Sequence, residues 1–156
     1  METFIYISGT RWEALQDRVP RPPWRFMQKP RVVFVEEPLG VAELTTPKLE
    51  VRQADGGADA AELQVMRLLM PARESSSFPF GDAAAQPIYD AMLVRFVETE
   101  KYQDAVLWIC DLKALTFANL IPYRFLVYDT LSGERMEQNI AIQRIHPNAA
   151  ALVMER

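Results

Sequence analysis

Phe4-Ile5-Tyr6-Ile7-Ser8-Gly9-Thr10 is the stretch on which the fold turns. Four consecutive apolar residues leave no polar alternation, so a strand here must be covered on both faces, as parallel strands inside α/β sheets are. Ser8-Gly9-Thr10 then delivers the chain into a loop at the carboxyl edge of that sheet. Arg31-Val32-Val33-Phe34-Val35 repeats the pattern and ends in Glu36-Glu37-Pro38-Leu39-Gly40. Leu49 to Arg52 and Leu63 to Met70 are expected as the third and fourth strands, parted by a turn at Ala54-Asp55-Gly56-Gly57-Ala58-Asp59. Ala105 to Cys110 is wholly apolar, and Phe125 to Tyr128 is the last clear strand.

Between these strands the period changes. From Pro87 to Tyr102, the residues Ile88, Tyr89, Met92, Leu93, Phe96 and Val97 recur in pairs four apart, giving one apolar stripe of a helix. Pro87 suits its first position. Asp111 is placed to cap a second helix from Leu112 to about Leu120, which Pro122 ends. Glu134 to Arg144 reads as helical, and Ala149 to Met154 as strand or helix. Pro20, Pro22 and Pro23 forbid a regular helix through the segment between Trp12 and Met27. Arg73 to Phe80, with three serines and Pro79, reads as a surface loop. Apolar strands alternating with amphipathic helices give an α/β fold: a Rossmann-like, mostly parallel sheet with helices on both faces. Phe34 and Trp108 are expected to be buried in its central strands.

Composition agrees with one domain over 1–156. The chain has 156 residues with 49% hydrophobic content, enough for one core. Its formal net charge of −4 disfavours nucleic acid as a partner, because phosphate binding needs a basic face. Cys110 has no second cysteine to pair with, and inside an apolar run it reads as a small core residue. One histidine, His146, precludes a cluster of imidazole metal ligands. The opening residues lack the basic region of a signal peptide, and no apolar run is long enough to span a bilayer. A cytoplasmic location is expected, with at most peripheral membrane contact.

Several familiar sites are missing. The first strand is not followed by Gly-x-Gly-x-x-Gly, and there is neither a Gly-x-x-x-x-Gly-Lys-Ser/Thr loop nor a Gly-x-Ser-x-Gly elbow. An Asp-x-Asp pair of the kind that holds a metal on a sugar diphosphate is also lacking, so no metal and no cofactor are expected. What remains is the carboxyl edge, where open α/β sheets bind ligands. Arg11 could fork onto a phosphate or carboxylate, and Trp12 could stack on a sugar or lipid. Alternatively Trp12 is core and Arg11 solvated. Glu36 and Glu37 are candidate ligand groups or a solvated strand end, and Asp129 a ligand group or a turn former. Arg18, Arg21 and Arg25 make a local basic patch that suits anionic lipid or phosphate, or else a solvated loop.

These residues also resemble a family. A group of bacterial two-domain (GT-B) glycosyltransferases opens with a strand, Arg-Trp-Asp, a Gln-Arg-Pro-Gln helix, Ser-Arg-Phe and Val-Phe-Phe-Val-Glu-Glu-Pro. The chain has Arg11-Trp12-Glu13, Arg18, Arg25-Phe26 and Val32-Val33-Phe34-Val35-Glu36-Glu37-Pro38 in the same register. Leu107-Trp108, Ala114-Leu115-Thr116-Phe117, Val127-Tyr128-Asp129 and His146-Pro147-Asn148 are similar to later segments of that family. It departs at Asp17-Arg18-Val19-Pro20 and at Ser132-Gly133, which replaces an acidic pair.

The resemblance implies the acceptor-side half of a GT-B fold, with Arg11, Trp12, Arg18, Glu36, Glu37 and Asp129 as substrate-binding residues and no catalytic residue singled out. It implies a sugar or lipid-linked acceptor, a donor-binding domain supplied in trans, and a role in cell-surface polysaccharide or glycolipid synthesis. A chain holding only that half is expected to be inactive alone. Its cleft face is either polar, leaving a monomer, or apolar and hidden by pairing, and the prolines and aromatics between Val19 and Met27 favour a two-fold homodimer. The other expectation is a non-catalytic binding or assembly module on the same fold.

Overall fold

A computed structural model describes residues 2–16, 22–74, 77–102, 104–130 and 151–155. Its centre is an eight-stranded sheet. The strands are β1 (Thr3–Ile7), β2 (Arg31–Val35), β3 (Leu39–Val41), β4 (Lys48–Ala54), β5 (Glu62–Pro71), β6 (Ala105–Ile109), β7 (Tyr123–Thr130) and β8 (Ala151–Glu155). The main parallel strands lie side by side as β5-β2-β1-β6-β7-β8. In chain order this is 3-2-1-4-5-6, the doubly wound Rossmann-type arrangement, whose order reverses between β1 and β6. The expected α/β fold is therefore the one observed.

Helical segments cover both faces. On one face, α2 (Gln86–Glu100) and a 3-10 helix over Leu112–Asn119 pack on Ile5, Ile7, Val33, Val35, Leu107 and Leu126. Tyr89, Leu93 and Val97 fill the centre of that contact, as the four-residue spacing predicts. Full burial of each such side chain contributes about 1.5–3 kcal/mol. On the other face, α1 (Trp12–Gln16) and a 3-10 helix over Pro23–Phe26 bring Trp12 and Trp24 onto Phe4, Tyr6 and Phe34. Tyr6 stacks on Phe34 at 5.2 Å, and Trp12 meets Phe34 edge-on at 5.2 Å. Among the described residues no helix is long and apolar enough to cross a membrane.

The structure corrects several readings. The strand expected at Leu49 to Arg52 is longer, Lys48–Ala54, and runs antiparallel to β5. Leu39–Val41, too short to show a pattern, adds a strand that pairs with Leu69 to Pro71 of β5. Leu69 also pairs with Lys48, so β3 and β4 flank β5 from opposite sides and β3 prolongs β2. Between Val35 and Leu39 the chain takes four steps where β5 takes three, from Met66 to Leu69, so Glu36-Glu37-Pro38 carries an extra residue as a bulge does. Phe78 and Phe80 are buried, not part of a surface loop, and the helix after Asp111 is 3-10. Ala151–Glu155 resolves the choice between strand and helix as strand. The helix expected from Glu134 to Arg144 lies outside the described residues. Cys110 and Trp108 are only half-buried, on the second face.

Candidate functional site

Because the order reverses between β1 and β6, the crevice at their carboxyl ends is where a doubly wound sheet receives a ligand. Three chain segments meet there. Sheet hydrogen bonding continues past the strand ends, with Ser8 N–H on Val35 O (3.1 Å), Cys110 N–H on Ile7 O (2.9 Å) and Glu36 N–H on Met66 O (2.9 Å). The loops leaving β1, β2 and β6 therefore start from rigid anchors. Tyr89 adds another from α2, the single proton of its buried hydroxyl lying between Glu36 O at 2.8 Å and Met66 O at 3.2 Å.

The bulge turns the two glutamates in different directions. Glu36 is fully buried. Its Oε2 accepts from Arg11 Nη1 at 3.0 Å and its Oε1 from the Trp12 backbone N–H at 3.1 Å. Arg52 lies 3.8 Å from the same Oε1 and also pairs with Glu13. Arg11 also donates from Nη1 to Glu37 O (2.5 Å) and from Nη2 to Pro38 O (3.1 Å). Folds of this type that bind nucleotides leave the first strand-to-helix turn open for a phosphate. Here the chain's own carboxylate and arginine fill that position.

Glu37 points the other way, into the crevice, and is half-buried. Its Oε2 accepts from Phe80 N–H at 3.0 Å. Gly9 lies between it and Asp111: a Cβ there would stand 3.3 Å from Glu37 Oε1 and 3.5 Å from Asp111 Oδ2. A Cβ there would meet Asp111 at ordinary contact distance and press on Glu37 by a few tenths of an ångström, so the glycine leaves room for the two carboxylates beside the end of β1. Asp111 also caps the following 3-10 helix through Oδ1 on Lys113 N–H at 2.9 Å, as expected. Burial pushes the Glu37 carboxyl above the ordinary glutamate value and the Asp111 charge adds to this, while the Phe80 N–H, Arg11 and Lys113 pull it down. A half-desolvated carboxylate of this kind suits accepting a hydrogen bond, or a proton, from a ligand hydroxyl.

The raised value has a consequence for stability. The folded chain holds the Glu37 proton more tightly than the unfolded chain, so its contribution is most favourable below the ordinary value of 4.5 and is lost as pH rises through the folded value. Glu37→Gln is therefore expected to leave stability unchanged at about pH 4 and to raise Tm by a few degrees at about pH 8. Thermal melts of both proteins across that range check it; a variant equally or less stable at the upper end contradicts the assignment.

The other sequence candidates are placed as follows. Trp12 belongs to the second core and is 9% exposed. Arg18 and Arg21 lie outside the described residues, and Arg25 is exposed over the ring of Phe26 at 4.4 Å. Asp129 is not in a turn: it stands in β7, 2% exposed, its Oδ2 accepting from Trp108 Nε1 at 3.1 Å. Asp111 and Gly9 were not singled out as ligand groups; their signal was an acidic residue directly after an apolar strand, legible only with the strand order. Among the described residues no group of three or more His, Cys, Asp or Glu side chains is placed to hold a metal ion. Comparison with known proteins finds no match: no family model, no curated protein and no solved structure matches the chain.

Proposed function

We propose that the chain is the acceptor-side domain of a two-domain glycosyltransferase, which holds a hydroxylated acceptor at the carboxyl edge while a separate domain brings the nucleotide sugar. The reading joins the resemblance of the Arg-Trp and Val-Glu-Glu-Pro segments to one observation: Glu37 and Asp111 flank Gly9 at the point where the strand order reverses. Two carboxylates at that place accept hydrogen bonds from hydroxyls and repel phosphate. Glu36 already satisfies the Trp12 N–H and Arg11, so the donor diphosphate is expected to find its site elsewhere. The proposed setting is cytoplasmic assembly of a cell-surface polysaccharide or glycolipid.

Two measurements test this. A short neutral oligosaccharide is expected to shift the amide resonances of Gly9, Thr10, Phe80 and Lys113, and Glu37→Gln with Asp111→Asn to abolish the shifts. Uridine diphosphate and uridine diphosphate glucose are expected to leave these resonances in place and to be turned over by the chain alone no faster than by buffer. Nucleotide-induced shifts at those amides, or turnover by the isolated chain, would reject the reading.

A further inference from the structure

The basic stretch that precedes β2 takes no part in the crevice at the carboxyl edge. Between Asp17 and Glu36 the sequence carries Arg18, Arg21, Arg25, Lys29 and Arg31 and no acidic residue, in a chain whose formal net charge is −4. Arg31 is already paired with Glu62 at 2.7 Å. Arg25 and Lys29 are exposed on the crossover from β1 to β2, and Phe26 stands between them. Phe26 is 81% exposed, well beyond Phe125, Leu120 and Leu112, the other exposed large hydrophobics among the described residues.

The ring is held out on an anchored turn. Trp24, buried against Phe4 and Tyr6 with ring centroids at 5.6 and 5.9 Å, fixes the 3-10 helix over Pro23–Phe26 to the sheet. Met27 N–H donates to Trp24 O at 3.0 Å, Lys29 N–H to Met27 O at 3.1 Å and Arg31 N–H to Glu2 O at 2.8 Å, which ties the segment to the amino end of β1. The Arg25 guanidinium lies over the Phe26 ring, 4.4 Å from its centroid. Lys29 has φ of +42°, a left-handed conformation that strains any residue with a Cβ. Glycine would relieve it, whereas lysine keeps a cation three residues from Phe26. Such strain is found at functional surfaces more often than elsewhere.

This composition selects the partner. A protruding aromatic ring rimmed by cations fits the boundary between lipid headgroups and acyl chains, where the ring enters the apolar layer and the cations stay with the phosphates. Each cation near an anionic leaflet adds to the attraction. Asp55 and Asp59 line a concavity with Pro22, Pro23 and Trp24 that stops short of Arg25, Phe26 and Lys29. A second copy docked here about a two-fold axis would bring like charges together. A nucleic acid needs a basic groove that follows several phosphates, and two cations on one short turn do not trace one. We propose that Arg25, Phe26 and Lys29 dock the chain on an anionic lipid surface, with the Phe26 ring inserted. The proposal does not rest on the acceptor reading, because this segment leads into the amino end of β2 and the crevice lies at its carboxyl end.

Co-sedimentation of the full chain with vesicles of phosphatidylcholine, alone or mixed in equal parts with phosphatidylglycerol, tests it. Binding to the mixed vesicles is expected to be at least about tenfold tighter and to weaken as salt rises. Phe26→Ser is expected to weaken it about fivefold while Tm stays level, because the ring is exposed. Lys29→Gly removes a cation and relieves the backbone; it is expected to weaken binding about threefold or more with Tm level or higher. Leu120→Ala, which trims an exposed apolar side chain at the end of the 3-10 helix on the first face, is expected to change nothing. The proposal is overturned if the two kinds of vesicle bind alike or not at all, if Phe26→Ser binds as well as the parent, or if Leu120→Ala weakens binding equally. Tighter binding to single-stranded polyuridylate than to the mixed vesicles would overturn it in favour of nucleic acid. A dimer that Phe26→Ser dissociates in sedimentation velocity would overturn it in favour of a second copy.

Discussion

Glu36→Ala is expected to cost the fold about 3–5 kcal/mol, the range for removing one partner of a buried ion pair. Glu36 is fully buried, and its two oxygens serve Arg11, the Trp12 N–H and, more distantly, Arg52. Taking the carboxylate away leaves a part-buried guanidinium with only the carbonyls of Glu37 and Pro38, and leaves the first turn of α1 without its acceptor. Arg11 is one-third exposed, so water can approach it from one side and the loss should fall nearer the lower bound. Glu36→Gln keeps one acceptor for Trp12 and should cost about half as much. Against a typical total of about 5–15 kcal/mol, the alanine change puts the chain near its folding threshold. Urea unfolding measures it, and a loss below about 1 kcal/mol for Glu36→Ala would mean that the ion pair is open to solvent.

The strands and α2 were legible because burial on both faces and on one stripe leave different periods, and both survive in the residues themselves. Phe4 to Ile7 and Tyr89-Leu93-Val97 needed no partner to be read. The site was only half legible. Two glutamates after a strand look like a solvated end unless the cation that folds over one of them is known, and Arg11 stands 25 positions earlier. Nothing local marks the bulge that separates the fates of Glu36 and Glu37, since it exists only relative to β5. Asp111 was legible as a cap, because capping is local. Its nearness to Glu37 depends on β1 lying between β2 and β6, which is a matter of strand order. Asp129 reads as a turn residue beyond the last strand because the apolar run stops at Tyr128, whereas β7 runs on to Thr130 where it pairs with β8, a strand whose own sequence reads both ways.

Phe34→Ala is expected to cost about 3–5 kcal/mol, as deletion of a large core aromatic does. Its ring has no exposed surface and is held between Tyr6 and Trp12, both at 5.2 Å. The neighbouring strands pack on both sides of β2, so little can collapse into the space left behind. Trp108→Ala is the informative contrast. The apolar run from Ala105 to Cys110 suggests equal burial, but Trp108 is half-buried at the margin of the same aromatic cluster, 5.7 Å from Phe4. Part of its surface is already hydrated in the folded state, which reduces the transfer loss, although Asp129 gives up the indole donor. The expected cost is about 1–3 kcal/mol, below that of Phe34→Ala. Chemical denaturation of the two variants under one condition decides the matter. Equal losses would mean that the second face is covered over β6 as fully as over β2, and that the half-burial of Val106, Trp108 and Cys110 does not describe the folded chain in solution.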